Sequence, residues 1–500
     1  MTAKTKCVAF YKKGGDIVAS SKNTKIPQFP SLAESIDMVR SKEVSPVDLV
    51  AMCLERIESG DAEINAFAAV FAEQALSQAK EAERAIARKE PVGALHGVPI
   101  ALKDLLYTKG VRTSRGSKVF QDFVPDKDAP IVERLISAGA ITVGKTTTTE
   151  FGWTASSVSS LFGPTRNPWD KRLTSGGSSS GSAAAVSARM VPAAIGSDGG
   201  GSVRVPASFC GIYSMKGTLG RIPVWPWSAT ETLSHAGPMT VSVKDSALLF
   251  DVLKGPHALD HGCLPDDGLS YAKEIERPTE GARVAYIPSL FGAVVDPQVE
   301  ARVKEAVRTI EHDLNCSVDE LDLDWADPFT AFETIWVGGR GIAYGDLVKD
   351  RREDLDPGFR FLVEQAQKIG AKDFIAALKS RALFSNLVQG LFEVYDFLVM
   401  PSVPIAPFSA ELNGPDTGPY IESKSPVAWA RWAPFSYPFN LTGNPAASLP
   451  CGWNGNLPVG LQVVGRRFDD AGVLRFSATF EAARPWRNRV PPMSGHENKK

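Results

Sequence analysis

Two clusters of glycine and serine, Gly176-Gly177-Ser178-Ser179-Ser180-Gly181-Ser182 and Gly196-Ser197-Asp198-Gly199-Gly200-Gly201-Ser202, are each joined directly to apolar chain. Strong helix formers at residues 183–190 follow the first cluster, and the apolar segment 191–195 precedes the second. A flexible linker is the plain alternative for the first cluster, but a linker is not stitched into core sequence. The pattern predicts that residues 178–182 form the cap region of a buried helix. It also predicts that the three glycines sit where a strand gives way to a turn. There, with no Cβ to obstruct close approach, backbone amides can face one point and hold an anion, either phosphate or oxyanion.

Upstream, Val98-Pro99-Ile100-Ala101-Leu102 reads as a short strand ending in Lys103, and no usable histidine lies near either cluster. This combination points to serine chemistry driven by a lysine base, because a lysine amine accepts a proton once burial disfavours its charged form. A Walker-type phosphate loop is disfavoured because neither cluster carries the lysine it requires, and Gly199-Gly200-Gly201 lacks the dinucleotide spacing. Gly177-Ser178-Ser179-Ser180-Gly181 formally satisfies Gly-x-Ser-x-Gly, yet residues 170–174 before it are polar rather than a strand. Ser270-Tyr271-Ala272-Lys273 satisfies Ser-x-x-Lys without a Lys-Thr-Gly partner. The plain alternatives are a surface lysine at position 103 and a helix N-cap at Ser202.

The surrounding chain alternates helical and strand patterns, the signature of an α/β protein. Ser45 as N-cap and Pro46 at the first helical position open one helix, and residues 71–88 predict a second. Strands are expected at 97–104, 141–143, 283–287, 397–400 and 459–464, with helices at 128–139, 298–314 and 470–484. With 500 residues, 43% of them hydrophobic, the chain can bury a large core. The organisation expected is an N-terminal extension (1–29), one domain (30–490, with 97–221 as its catalytic core) and a tail (491–500). Residues 256–425 read as a less regular stretch that covers a pocket, with turns at 264–268 and 413–416.

A net charge of −2, from 55 basic and 57 acidic residues without a long like-charge block, argues against nucleic acid or an anionic membrane as partner and for a small molecule. Six scattered cysteines argue against a disulfide framework and a Cys-x-x-Cys metal site. Neither a signal core nor a membrane-spanning stretch is visible, so a cytoplasmic protein with no metal or cofactor is expected. Asp198 and Arg204 read as a structural pair bracing the loop, and Cys210 as a packed thiol.

Gly97-Val98-Pro99-Ile100-Ala101-Leu102-Lys103-Asp104, residues 163–169, both serine clusters and Phe209-Cys210-Gly211-Ile212 together carry a resemblance to the amidase signature family. It extends to Asn440-Leu441-Thr442-Gly443-Asn444-Pro445-Ala446 and Gly460-Leu461-Gln462-Val463-Val464-Gly465. It implies a central mixed β-sheet flanked by helices on both faces, and amide hydrolysis with Lys103 as general base, Ser178 as bridging serine on a cis peptide and Ser202 as nucleophile. It further implies an oxyanion hole at Gly199, Gly200 and Gly201, with Trp153, Ser179 and Trp336 as candidates for the substrate pocket. Trp225, Trp227, Trp429 and Trp432 lie in stretches that form its walls; core packing is the plain alternative for such tryptophans, and two or more facing the cavity would favour an aryl or bulky apolar amide. Esterase or carbamate side activity is compatible with the resemblance, as is a homodimer; the rival assignment is the glutamine-hydrolysing subunit of a tRNA-dependent amidotransferase. The chain departs from the family pattern at Ser180, Gly199, Thr147 and Gly217: Gly199 is expected to loosen the oxyanion loop, and Ser180 to bring an extra hydroxyl to the site.

Overall fold

The computed structural model describes residues 29–412 and 424–493. Most of the expected N-terminal extension and tail, and the turn at 413–416, lie outside the described residues.

Eleven strands form one mixed sheet. Their order across it is Phe67–Val70, Ile141–Thr146, Pro99–Lys103, Ala193–Asp198, His235–Thr240, Tyr213–Lys216, Ala446–Asn454, Leu457–Gly465, Phe397–Pro401, Arg283–Tyr286 and Ser317–Glu320. Pro99–Lys103 runs parallel to both its neighbours, whereas Ala193–Asp198 pairs antiparallel with His235–Thr240. Helices cover both faces. On one side Ile100 and Leu102 pack with residues of Pro130–Ser137, Val243–Leu253, Pro297–His312 and Asp470–Ala483. On the other, Ala101 packs with residues of Pro46–Ile64, Ala72–Ala87 and Ser180–Ser187. Because successive side chains of a strand point to opposite faces, Lys103 falls on the Ala101 side, toward the serine-capped helix.

Local signals account for several of these elements. Ser45 accepts from the Asp48 amide at the head of Pro46–Ile64, and that helix buries Leu49, Val50, Ile57 and Ile64. Each such side chain contributes roughly 1.5–3 kcal/mol of transfer free energy. The helix Ser180–Ser187 is built of small residues, all buried, which lets it sit close against the sheet.

Residues 256–425 depart from the expected irregularity, since they contain the long helices Phe329–Asp350 and Ala371–Leu391. The first was obscured by Gly338, Gly339, Gly341 and Gly345, each about 1 kcal/mol less favourable in a helix than alanine. Packing offsets this cost. A Cβ on Gly339 would stand 1.7 Å from the Ala229 carbonyl oxygen, and one on Gly341 would stand 2.1 Å from Ala366 Cβ.

Candidate active site

The end of strand Pro99–Lys103, the head of helix Ser180–Ser187 and the loop after strand Ala193–Asp198 converge behind one face of the sheet. Lys103 is fully buried, with its Nζ 2.8 Å from Ser178 Oγ, 2.9 Å from Ser179 Oγ and 3.0 Å from Ser197 Oγ. Ser179 Oγ donates to the Ser197 carbonyl, which leaves its lone pairs for a lysine N–H. A neutral amine has two N–H donors and one lone pair. With Ser179 and Ser197 accepting the two donors, the lone pair is left facing the Ser178 hydroxyl.

Burial is the largest influence on the Lys103 amine and, with a smaller push from Arg340, holds its pKa down to about 7 against the opposing pull of Asp198. Near neutral pH a substantial share of this amine is therefore uncharged. The surface-lysine alternative is excluded by its burial, and Ser202 is not an N-cap, since Val203 caps the following helix Arg204–Cys210.

The serine segments are held in place by backbone contacts. The Gly177–Ser178 peptide is cis, and a Cβ on Gly177 would lie 1.8 Å from the Ser156 carbonyl oxygen, so only glycine fits. The Ser179 amide donates to the Ser202 carbonyl at 3.2 Å, tying the two clusters together. Ser178 and Ser202 line one cavity of about 120 Å³ without a hydrogen bond between their hydroxyls. Ser180 turns away and bonds the Thr147 carbonyl, so the extra hydroxyl expected at the site does not reach it.

The glycine turn is braced from below. Arg204 Nη2 and Nε meet the two carboxylate oxygens of Asp198 at 3.0 Å, and both residues are buried. Asn440 and Gln462, from the two C-terminal motifs, accept from the same guanidinium at 2.6 and 2.8 Å. Burial alone would raise the Asp198 pKa, but the ion pair with Arg204, the Asn440 hydrogen bond and Lys216 outweigh it and hold the carboxyl below its usual range. The Gly201 amide donates to Asp198 Oδ1 at 2.8 Å. Gly199, Gly200 and Ser202 keep amides without an acceptor among the described residues. The free amides are thus displaced by one position from the expected set, Gly201 being engaged and Ser202 joining Gly199 and Gly200. Gly199 leaves room for Trp336, whose Cζ3 would lie 2.8 Å from a Cβ there.

Of the expected pocket residues, Trp336 lines the cavity, joined by Trp225 and Trp227. Trp153 does not; it is buried against Gly358 in the neighbouring apolar core. Ser179 belongs to the lysine network rather than to the substrate surface. Trp429 and Trp432 are core as well. Sequence reasoning missed Ser197, although it lies within the second glycine-serine cluster, and also Arg115, Arg340 and Tyr344, which line the cavity from segments without a recognisable pattern. His235 also lines it, but its ring is buried between the Leu233 carbonyl and Lys216, and burial keeps it well below its ordinary pKa. Cys210 is buried, with its thiol pushed up by desolvation. A larger groove of about 1170 Å³, lined by Ile342, Phe374 and Ile375 among others, contains neither the lysine nor the serines. Among the described residues no cluster of three or more His, Cys, Asp or Glu could hold a metal ion, and no helix is long and apolar enough to cross a membrane.

A mixed sheet sandwiched by helices, with a buried lysine against a cis-serine and a glycine-serine turn, is the architecture of a serine amidohydrolase. The Amidase family model matches residues 48–474, and the chain belongs to the amidase signature family, whose reaction is amide hydrolysis. It is 34% identical over 487 residues to the A subunit of the glutamyl-tRNA(Gln) amidotransferase of Moorella thermoacetica, covering 92% of this chain and 98% of that one. It is also 34% identical over 472 residues to an acylamidase of Rhodococcus erythropolis, covering 92% and 97%. The crystal structure of a bacterial aryl acylamidase of the same family superposes with a TM-score of 0.85 at 26% identity, covering 92% and 97%.

Proposed function

We propose that this chain hydrolyses an aryl or bulky apolar carboxamide through an acyl-enzyme on Ser202. The observation that carries the chemistry is the fully buried Lys103 amine, 2.8 Å from Ser178 Oγ in the wall of the cavity that Ser202 also lines. Neutral Lys103 accepts the Ser178 proton while Ser178 takes the proton of Ser202, whose Oγ attacks the amide carbon. The amides of Gly199, Gly200 and Ser202 donate to the oxyanion, each contribution being worth about 3 kcal/mol where such donors have been removed elsewhere. Collapse breaks the C–N bond as Ser178 passes a proton to the leaving nitrogen and recovers one from the Lys103 ammonium. Water, deprotonated through the same relay, then cleaves the ester and releases the acid.

The indole rings of Trp225, Trp227 and Trp336 in the lining support an aromatic or apolar substrate, as does similarity to two acylamidases. Esters and carbamates are expected as slower substrates of the same acylation chemistry. A second reading, the glutamine-hydrolysing component of an amidotransferase, is favoured by the identity to the Moorella protein and would require partner subunits. Purified alone, the chain is expected to turn over anilides faster than acetamide and to leave glutamine largely intact. Equal rates on anilides and acetamide, or glutaminase activity appearing only with copurified subunits, would overturn this choice.

A further inference from the structure

The cavity holds a cation for which the described residues supply no counter-charge. Arg340, from helix Phe329–Asp350, is 5% exposed, and its Nε and Nη1 have no hydrogen-bond partner among the described residues. Only its Nη2 is engaged, at 3.5 Å from the Gly152 carbonyl, while the guanidinium stacks over Trp336 at 3.6 Å from the ring centroid. A second cavity-lining guanidinium, Arg115, bonds the Tyr344 hydroxyl through Nη2 at 2.7 Å and leaves its Nε unpaired. Neither has a carboxylate partner among the described residues. Asp198, the one acidic side chain among the described lining residues, is engaged by Arg204, Asn440 and the Gly201 amide. Two cavity-lining cations, Arg340 buried and Arg115 half-buried, neither with a carboxylate among the described residues, make the cavity wall positive, and the planar fork of an arginine matches a carboxylate in geometry.

We infer that Arg340, supported by Arg115, binds a carboxylate of the substrate, so that the amide hydrolysed here is anionic and carries its carboxylate a few bonds from the scissile carbonyl. The short spacing follows from the Arg340–Gly152 contact, since a Cβ on Gly152 would lie 3.1 Å from Ser178 Oγ. The Trp336 face under the guanidinium fixes its plane and excludes water from one side. A zwitterion such as free glutamine fits less well, because no unengaged carboxylate among the described lining residues receives its ammonium. This inference rests on the amide-hydrolysis reading for its substrate but makes a binding claim that stands apart from turnover.

The test uses Ser202→Ala enzyme and two anilides matched in size, N-phenylsuccinamate and neutral N-phenyl-4-methylpentanamide, with binding read by calorimetry. The succinamate is expected to bind at least tenfold more tightly, and Arg340→Met in the same background is expected to remove that preference, with Arg340→Lys restoring part of it. Equal affinities in the Ser202→Ala protein, or no binding of either anilide, overturn the inference without any change at position 340. A preference that persists in a folded Arg340→Met protein overturns it as well. If the charge preference is found but the wild type cleaves neither anilide, the carboxylate site stands and the proposed aryl-amide activity falls.

Discussion

Replacing Lys103 by methionine should do more than abolish turnover; it should change how stability depends on pH. The folded protein holds this amine at a pKa of about 7, against an ordinary value of 10.5. Between those values the unfolded chain binds a proton that the folded one does not, so stability rises with pH across the interval. Below pH 7 both states are protonated and the slope vanishes; above 10.5 both are neutral and it vanishes again. With 1.36 kcal/mol per pKa unit, the wild type should gain about 3–4 kcal/mol on the methionine variant between pH 7 and pH 10. Comparing the two proteins at each pH cancels the contributions of Lys145 and Lys216, which are also buried and also shifted down. The loss of the hydrogen bonds to Ser178, Ser179 and Ser197 enters the gap at every pH and drops out of its change between pH 7 and pH 10. Urea unfolding of both proteins at pH 7 and pH 10 measures the difference directly. A stability gap that does not move with pH would mean that Lys103 is charged in the fold, and would remove the reason for calling it a base.

Ser178→Ala and Ser202→Ala should each lower kcat by at least 10²-fold in a steady-state anilide assay, as expected for loss of a proton-transfer group or nucleophile. His235→Ala should retain kcat within about tenfold, since the imidazole contacts neither serine. Gly199→Ala should cost about 1–3 kcal/mol in thermal unfolding by driving a methyl group against Trp336, and Trp336→Leu in the same protein should recover much of it. Asp198→Asn leaves the Arg204 guanidinium buried without its counter-charge, a change expected to destabilise by about 3–5 kcal/mol in denaturant titration.

The lysine–serine cluster and the glycine turn were legible because packing an amine, hydroxyls and close backbone together imposes residue types at fixed places. Lysine at a strand end, serines heading a helix of small residues and glycines at a strand-to-turn junction each leave a local mark, and the motifs around Asn440 and Gln462 proved to hold Arg204 beneath the glycine turn. The pocket was less legible. Trp153 and Trp336 look alike in sequence, but one packs on Gly358 and the other stands over Gly199, a difference made entirely by tertiary neighbours. Arg340 sits in a glycine-interrupted helix with no apolar stripe to announce it, and its role follows only from which donors the fold leaves unpaired. The engagement of the Gly201 amide by Asp198 is likewise a matter of loop geometry that residue types do not encode.

If an uncharged Lys103 starts the relay, its titration governs the pH dependence of kcat/KM on an anilide. The wild type should show an acidic limb with an apparent pKa near 7, falling tenfold per pH unit below it, and the residual activity of Lys103→Ala should lack that limb. An unchanged limb in the alanine variant would mean that a group other than Lys103 takes the proton.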